Sequence, residues 1–361
     1  MGCSSTSEAI GSLKSLSAQS WLNQVWYKDA RPPWLLLPLE ALFGAVSGLR
    51  RWSYSANVRT ATRLACPVVV IGNLSVGGTG KTPLVCWLVE QLRECRLRPG
   101  IVTRGYGGAN RVPRRVQESD DAALVGDEPL LLARRTHVPV VVGRDRPAAA
   151  QLLVETGCDV VVSDDGLQHY ALARDCEIVV VDAERGFGNG HLLPAGPLRE
   201  GLGRLASVDA VVVNGAAVGA AFRPTVGKAA LTMKLEASQA IALLDATPRV
   251  LAQFGGQTVH AVAGIGNPGR FFGMLRAAGL GVIPHELPDH ALIRPSDIEF
   301  GDDLPVLMTE KDAVKCAAFA KPQHWYVPVS AAFDAGEGKE LLGIVTRRIA
   351  EHGRSAQGNH G

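Results

Sequence analysis

A glycine-rich segment that ends in a lysine and a threonine is the strongest chemical signal in the sequence. Residues 75–82 read SVGGTGKT, follow a run of β-branched residues and precede an amphipathic stretch. Glycines let the backbone curve so that N–H groups point at a phosphate, a lysine holds the β- and γ-phosphates, and a hydroxyl ligates Mg²⁺. The pattern predicts an ATP-binding loop of Ser75, Val76, Gly77, Gly78, Thr79, Gly80, Lys81 and Thr82.

This segment departs from related phosphate-binding patterns at two positions. The common pattern has glycine where Ser75 stands, and ATPases with a signature lysine carry that lysine where Val76 stands. The missing lysine disfavours an ATPase that acts as a regulatory switch on a protein partner. A soluble small-molecule kinase is a third interpretation, and it leaves the apolar N-terminal stretch described below without a purpose.

Two aspartates follow a second predicted strand and are the expected acidic partners of the loop. Asp164 and Asp165 come directly after the strand predicted over residues 159–163. An aspartate that leaves a buried strand can order the Mg²⁺ shell between the β- and γ-phosphates. The alternative is a solvated turn. His169 is a candidate catalytic group, and a capping or packing histidine is an equal alternative.

Short β-branched runs alternate with longer helical stretches from residue 66 onward. Continuous valine and isoleucine runs are typical of strands buried on both faces, so we expect a parallel α/β sheet with helices on both faces. The strands are predicted at residues 67–71, 100–103, 138–142, 159–163, 177–182 and 209–214, and the helices at 82–96, 128–136 and 146–156. Residues 182–205 are rich in glycine and proline and are expected to form a loop over the active-site rim.

A second α/β block is expected after residue 228. Its strands are predicted at residues 230–235, 259–263, 281–286, 305–309 and 324–329. Residues 264–269 read GIGNPG, which matches a dinucleotide-binding pattern, but the acidic residue that this pattern needs has only a rough counterpart in Glu286. We therefore favour a glycine-rich turn that borders the cleft between the domains.

The N-terminal part combines an apolar stretch with most of the tryptophans. Residues 34–49 are largely apolar, carry Glu40 in the middle and are followed by Arg50 and Arg51. The stretch is shorter than the roughly 20 residues that span hydrocarbon. A buried or amphipathic helix of the fold remains open, but four of the six tryptophans lie in the first 52 residues. This distribution favours a membrane-contacting helix with tryptophans at headgroup depth.

Composition and charge exclude several classes of protein. Hydrophobic residues make up 47% and charged residues 20%, which excludes a disordered scaffold. The net charge of +2 gives no chain-wide basic field, so we expect no nucleic-acid partner. The seven cysteines contain no CxxC pair, which suits a reducing compartment and argues against a zinc module. The first residues lack a secretory signal and are expected to be a cytosolic end.

Eight segments, taken together, resemble the tetraacyldisaccharide 4'-kinase family of Gram-negative bacteria. The resemblance runs from about residue 31 to residue 346 and preserves the order of the segments in both halves, and the family likewise has serine or threonine at the position of Ser75. The segments are residues 75–83, 104–108 (RGYGG), 126–129 (GDEP), 163–170, 192–200, 264–272, 288–290 (PDH) and 308–315.

The resemblance implies a lipid kinase at the cytoplasmic face of the bacterial inner membrane, peripheral or anchored by its N-terminal part. With ATP and Mg²⁺ it would phosphorylate the 4'-hydroxyl of tetraacyldisaccharide 1-phosphate to form lipid IVA. The implied partners are this lipid A precursor and the membrane surface, without an obligate protein partner. The expected organisation is a membrane-associating segment (1–52), a P-loop kinase domain (53–227), a smaller α/β domain that completes the cleft (228–350) and a disordered tail (351–361).

The same resemblance implies roles for individual residues. By position, Asp127 matches the catalytic base, His290 its partner, and Lys81 the holder of the β- and γ-phosphates. The other implied roles are Mg²⁺ ligation for Thr82, Asp165, Asp164 and Glu200, and substrate contacts for Arg104, Arg199, Gln168 and His169. A sugar hydroxyl is weakly acidic, so an aspartate base is chemically sensible. From the residues alone, Asp127 is equally well a helix N-cap, His290 is more often a surface histidine, and Lys311 and Lys315 are equally well a basic helix face.

Overall fold

Valine-rich strands that are buried along their whole length form the centre of a nine-stranded sheet. The computed structural model describes residues 18–28, 31–109, 112–215 and 230–358. The strands of this sheet are β1 (Val68–Gly72), β2 (Pro99–Thr103), β3 (Arg114–Arg115), β4 (Val140–Val142), β5 (Val160–Asp164), β6 (Cys176–Asp182), β7 (Ala210–Asn214), β8 (Ala230–Glu236) and β15 (Ser330–Phe333). Their order is β15-β8-β7-β6-β1-β5-β2-β4-β3. The pairs from β8 to β4 are parallel, and both edge pairs are antiparallel.

Helices cover both faces of this large sheet, as the valine runs predicted. The helices of the chain are α1 (Ala18–Tyr27), α2 (Leu37–Ser55), α3 (Lys81–Glu94), α4 (Ala122–Val125), α5 (Asp127–Thr136), α6 (Arg146–Glu155), α7 (Pro268–Ala277), α8 (Glu310–Cys316) and α9 (Ala335–Gly358). Leucines and valines of α3, α5 and α9 pack into one core layer. Residues of α6 pack into the other layer. The expected fold class is therefore confirmed.

A second, six-stranded sheet lies between β8 and β15 in the sequence. Its strands are β9 (Gln239–Ala242), β10 (Pro248–Val250), β11 (Thr258–Ala263), β12 (Gly281–Glu286), β13 (Val306–Thr309) and β14 (His324–Val327). The order is β10-β9-β14-β13-β11-β12, with parallel pairing from β14 to β12. Apolar side chains of β11, β13 and β14 pack against Phe271, Phe272 and Leu275 of α7.

The allocation of residues 228–350 to the smaller domain differs from the pairing that the structure shows. Strand β8 pairs with β7, and β15 pairs with β8, so both belong to the large sheet. The expected boundary at 227/228 itself lies outside the described residues. Helix α9 also continues to Gly358 where we expected a disordered tail from residue 351. His352 explains the start of this extension, because it is buried and its Nδ1 lies 2.9 Å from Asp175.

Helix α2 docks against residues 191–192 of the loop that follows β6, but much of its apolar surface is exposed. Glu40 accepts a hydrogen bond of 2.8 Å from the backbone N–H of Leu192 and lies 2.9 Å from Nδ1 of His191. Leu42 and Leu49, at helical spacing, are 63% and 64% exposed. Across the described residues, no helix combines the length and apolar character that are needed to cross a membrane.

Candidate active site

The predicted phosphate loop joins the end of β1 to the start of α3. Gly80 is the N-cap of α3 and has a φ of 95°, and a Cβ at this position would lie 2.5 Å from Nδ2 of Asn214. Glycine is therefore required here by both backbone conformation and space. Asn214, at the end of β7, donates a 3.0 Å hydrogen bond to the carbonyl of Thr79. No side chain caps the N-terminus of α3, so its first N–H groups and positive dipole end can receive a phosphate.

The two aspartates at the end of β5 have different environments: Asp164 is the last residue of the strand and Asp165 follows it. Asp164 is buried, and its Oδ1 has no hydrogen-bond partner among the described residues. Burial, and then the charge of Glu128, raise the pKa of Asp164. Asp165 accepts two 3.0 Å hydrogen bonds from Arg199 and lies 3.6 Å from Nζ of Lys81. Burial opposes ionisation of Asp165, but Lys81 and Arg199 outweigh it and hold the pKa of this carboxyl well below its usual range.

The donor set fits a magnesium ion that is held mainly by nucleotide phosphates. Within the described ranges, no group of three His, Cys, Asp or Glu side chains could enclose a metal. Mg²⁺ in kinases keeps several water and phosphate ligands and takes only one or two protein oxygens. The unpartnered Oδ1 of Asp164 is such an oxygen, and Thr82 lines the same cavity as Asp165.

Glu200 belongs to a hydrogen-bond network at the edge of the cavity. It accepts a very short hydrogen bond from the hydroxyl of Tyr170 and a 3.3 Å bond from Nε2 of Gln168. Burial and Glu200 raise the pKa of Tyr170 to about 12. His169 lines the cavity, and burial together with Arg146 and Arg104 lowers its pKa to about 3. His169 is therefore neutral at physiological pH.

Asp127 and His290, which are 163 residues apart, meet at the other end of the cavity. Nδ1 of His290 lies 3.1 and 3.2 Å from the two carboxylate oxygens of Asp127. Asp127 is the first residue of α5, and Gly126, with a φ of 95°, takes the N-cap position. The N-cap interpretation of Asp127 is therefore wrong, although its Oδ1 accepts a 3.0 Å bond from the N–H of Glu128.

The electrostatics of this pair favour an ionised aspartate. Burial raises the pKa of Asp127, but the hydrogen bond from His290 and the charges of Lys311 and Lys315 outweigh it and lower the pKa to about 2. The hydrogen bond to Asp127 raises the pKa of His290, while burial and Lys311 oppose this change. The carboxylate can therefore accept a proton throughout the physiological pH range.

A cavity of about 1310 Å³ connects the phosphate loop with His290 of this pair and with helix α2, whereas the buried Asp127 is not among the residues that line it. The predicted site residues that line it are Gly77, Gly78, Thr79, Gly80, Lys81, Thr82, Arg104, Asp165, Gln168, His169, Arg199, Glu200 and His290. Phe43, Val46 and Arg50 of α2 line it from the N-terminal side. The space can hold a nucleotide together with a second, larger ligand, because ordinary small-molecule sites have about 300–1,000 Å³.

The glycine-rich segment 264–269 lies against the phosphate loop. A Cβ at Gly266 would lie 3.0 Å from the backbone N of Gly78. Four residues further on, Arg270 donates a 2.7 Å hydrogen bond to Oδ1 of Asp182 at the end of β6. The interpretation as a turn that borders the cleft is confirmed, because Ile265, Gly266 and Asn267 line the cavity.

Three polar residues near the site were not predicted from the sequence. Asn214 supports the phosphate loop, and Lys311, left open as a basic helix face, contacts His290. Arg146 is fully buried and donates a 3.0 Å bond to the carbonyl of Asp164, while its Nε and Nη1 have no partner among the described residues. Arg146 is the first residue of α6, four residues after the end of β4, and no sequence pattern marks its burial.

Comparisons with known proteins agree with this geometry. A family model described as tetraacyldisaccharide-1-P 4'-kinase matches residues 32–347. The tetraacyldisaccharide 4'-kinase of Nitrosococcus oceani is 49% identical over 328 residues, which cover 90% of this chain and 94% of the relative. The enzyme of the same name from Alkalilimnicola ehrlichii is 55% identical over 322 residues, which cover 88% and 95%.

A solved structure supports the same assignment at the level of the fold. The crystal structure of LpxK from Aquifex aeolicus in complex with ATP has a TM-score of 0.72 and 28% sequence identity with this protein. The match covers 87% of this chain and 98% of that one. The family model and the relatives cover most of the sequence, and the chain therefore belongs to the tetraacyldisaccharide-1-P 4'-kinase family.

Proposed function

We propose that the protein transfers the γ-phosphate of ATP to the 4'-hydroxyl of tetraacyldisaccharide 1-phosphate, with Asp127 as the base. As a member of its family the protein is an ATP-dependent kinase of lipid A biosynthesis. The observation that carries the proposal is the contact of the ionised Asp127 with His290, which lines the same cavity as the phosphate loop.

The reaction forms one bond and breaks one bond. The 4'-oxygen of the sugar attacks the γ-phosphorus, the bond from this phosphorus to the β–γ bridging oxygen breaks, and ADP leaves. Asp127 takes the proton of the hydroxyl, since its carboxylate stays ionised and His290 donates to it. Lys81 and the N-terminus of α3 stabilise the charge that develops on the β- and γ-phosphates.

Thr82 and the two aspartates at the end of β5 would hold the magnesium ion. When bound, Mg²⁺ neutralises charge on the β- and γ-phosphate oxygens. We assign Thr82 and Asp165 to this ion because Asp165 lies close to Lys81 of the phosphate loop. We assign Asp164 to the ligand shell of the same ion because its buried Oδ1 has no partner among the described residues. Glu200 is bound to Tyr170 and Gln168, so its place in the proposal is to hold the rim of the cavity.

Cationic side chains at the cavity wall suit the 1-phosphate of the acceptor. Arg104 and Arg50 both line the cavity, and arginine pairs well with phosphate oxygens. Arg199 is bound to Asp165, so it orients that carboxylate. Gln168 and His169 complete the proposed acceptor rim.

The exposed apolar face of α2 supports binding to the cytoplasmic surface of the inner membrane. Leu39, Leu42, Val46 and Leu49 lie at helical spacing, and each is more than half exposed. An amphipathic helix of this kind lies in the lipid interface rather than across it. Because Val46 also lines the cavity, the acyl chains can stay in the lipid while the headgroup enters the site.

The decisive experiment is phosphate transfer from γ-labelled ATP, with Mg²⁺ and detergent, to purified tetraacyldisaccharide 1-phosphate. Label should appear in the lipid with the wild type and be lost with Lys81→Ala. Label released as free phosphate by the wild type, with none in the lipid, would contradict the proposal. That result would favour the ATPase interpretation.

A further inference from the structure

Lys311 of α8 lies beside His290 and is not among the residues assigned to the reaction above. Its Nζ lies 3.2 Å from Oε1 of Glu128, 3.1 Å from Oδ1 of Asp289 and 3.1 Å from Nε2 of His290. An ammonium group has three N–H donors and no acceptor. The three contacts therefore use its whole donor capacity. The side chain is only 14% exposed, so water competes little for these donors.

The contact with Lys311 defines which nitrogen of the His290 ring carries the proton. Because Lys311 can only donate, Nε2 must offer a lone pair as long as this hydrogen bond exists. A neutral ring then carries its proton on Nδ1, the nitrogen that faces the carboxylate oxygens of Asp127. The Nδ1–H group donates to Asp127, and this bond orients the carboxylate without neutralising it.

The backbone and the neighbouring ring hold His290 in this orientation. His290 has a φ of 60°, a left-handed conformation that is uncommon for residues other than glycine. The ring of Tyr106 packs against the imidazole with a centroid distance of 5.0 Å. The imidazole is therefore fixed between Tyr106, Asp127 and Lys311.

Charged and titratable groups face the pair from every element that surrounds it. They are Tyr106 after β2, Glu128 on α5, Asp289 after β12, and Lys311, Asp312 and Lys315 on α8. Lys315 lies 3.5 Å from Oδ2 of Asp127 and 3.3 Å from Oδ1 of Asp312. Lys311 is the cation of this group that contacts the imidazole itself.

We propose that Lys311 is a positioning residue that fixes His290 in the Nδ1–H tautomer and so keeps Asp127 ready as an ionised base. The inference rests on the proposed function, because it presumes that Asp127 accepts the proton of the acceptor hydroxyl. Without the donor at Lys311 the ring can carry its proton on Nε2. Its Nδ1 lone pair would then face the carboxylate, and a histidine in the wrong tautomer costs an enzyme much of its rate.

The proposal defines a direction for the pH dependence. The charge of Lys311 lowers the pKa of both Asp127 and His290. Removal of this charge raises both values, and turnover needs the ionised aspartate and the neutral histidine. The acid limb of kcat must therefore move to higher pH in a variant without the charge.

The test compares the pH profile of kcat for the wild type, Lys311→Met, Lys311→Arg and the control Lys321→Met. Lys321, between α8 and β14, is half-exposed and pairs with Glu299. We expect Lys311→Met to lower kcat by about 10- to 100-fold and to move the acid limb upward by about 1 pH unit or more. The KM for ATP should be unchanged, Lys311→Arg should restore the wild-type limb, and Lys321→Met should match the wild type.

A merely structural role would lower kcat without moving the acid limb, and that result would overturn the proposal. A second measurement needs no variant to fold: ¹⁵N chemical shifts of the wild-type His290 ring, recorded above the apparent pKa of the pair. A proton on Nδ1 supports the proposal, and a proton on Nε2 refutes it. If the wild type transfers no label to the lipid, the proposed function itself fails, which separates the two outcomes.

Discussion

Asp127 shows how a buried carboxylate stays charged. Its carboxylate is 6% exposed, yet His290 and two lysines compensate for the lost hydration. An uncompensated buried carboxyl would instead become protonated. These contacts lower the pKa of Asp127, which makes it a weak base. They also keep the carboxylate ionised at every physiological pH, so it is ready to accept a proton. A weak base suffices here because the proton leaves the hydroxyl as the bond to phosphorus forms.

Replacement of Asp127 by asparagine tests this role directly. We expect Asp127→Asn to lower kcat by about 10²- to 10⁴-fold, since proton transfer by a positioned side chain contributes that much. ATP binding should be unchanged, because the phosphate loop is intact. Steady-state kinetics and ATP titration calorimetry give the two values. Asp334→Asn, at an exposed carboxylate, is the matched control, and a kcat for Asp127→Asn close to that of the control would exclude the base.

The residues of the site differ in how far the sequence reveals them. The phosphate loop is contiguous, so its glycines, Lys81 and Thr82 could be predicted from spacing alone. Asp127 and His290 are 163 residues apart in the sequence, and no local pattern links them before the chain folds. The GDEP and PDH segments identified the pair through the family resemblance. Arg146 was missed because its importance lies in burial, which a single charged residue in a sequence does not indicate.

Among the elements, α2 is set apart by the apolar side chains that it leaves exposed. Each of its described side chains is at least partly exposed, including a stripe of leucines and a valine. Such a stripe is larger than the scattered apolar residues that ordinary surfaces carry. The helix is held to the rest of the molecule by Glu40 and the segment after His191. These contacts hold α2 in place, so its exposed stripe has a fixed position on the surface of the molecule.

Charges placed on this stripe should release the protein from membranes. Burial of a leucine in lipid contributes about 1.5–3 kcal/mol, so Leu42→Glu with Leu49→Glu should reduce binding to anionic phospholipid vesicles by more than about tenfold. Flotation of the protein with vesicles measures this. The matched control is Leu244→Glu with Val250→Glu, which changes two exposed apolar residues, one in the turn between β9 and β10 and one at the end of β10. Equal flotation of both double variants would contradict membrane contact through α2.

Helix α7 is linked to the large sheet beside the phosphate loop by Arg270. Its guanidinium donates to Asp182, which is buried at the end of β6. A hydrogen bond between charged groups contributes about 1.5–3 kcal/mol. We expect Arg270→Ala to raise the KM for ATP by about tenfold, because the loop at Gly266 then loses its position against Gly78. ATP titrations measure this, with the exposed Arg276→Ala of the same helix as control; an equal KM in both variants would exclude the link.

The central elements were predictable because the chemistry of a buried parallel strand is simple. Each of β1, β2, β5, β6 and β7 is buried at every residue, and the predicted limits differ from the observed ones by at most one residue. The end of α9 was not predictable from local composition. Residues 351–358 contain a serine and two glycines, as a tail would, but the helix is held by Arg348 and His352, which contact Asp209 and Asp175 just before β7 and β6.

At the scale of the whole molecule, the large sheet is completed by the last elements of the described chain. Helix α9 packs Leu341 and Val345 into the same core layer as α3 and α5. Strand β15 pairs directly with β8, with Ser330 opposite Glu236, although the strands of the smaller sheet separate the two in the sequence. The stability of the nucleotide-binding half therefore depends on residues that follow the smaller sheet.

A substitution in α9 should accordingly destabilise the half that binds ATP. Leu341 is fully buried, and removal of a buried leucine side chain costs about 2–5 kcal/mol. We expect Leu341→Ala to lower the free energy of unfolding by that amount, measured by urea unfolding and circular dichroism. Lys339→Ala, at an exposed position of the same helix, should change it by about 0.5 kcal/mol or less. Equal effects of the two variants would show that α9 does not support this core.

The position of β15 also has a consequence for the order in which the protein forms during synthesis. Strand β8 leaves the ribosome before β15 and pairs with β7, but its other edge stays open until residues 330–333 have been made. The six strands between them pair only with one another. The smaller sheet can therefore fold on the ribosome before β15, the edge strand of the larger sheet, has been synthesised. Until then, the open edge of β8 is the place where a chaperone would protect the nascent chain from aggregation.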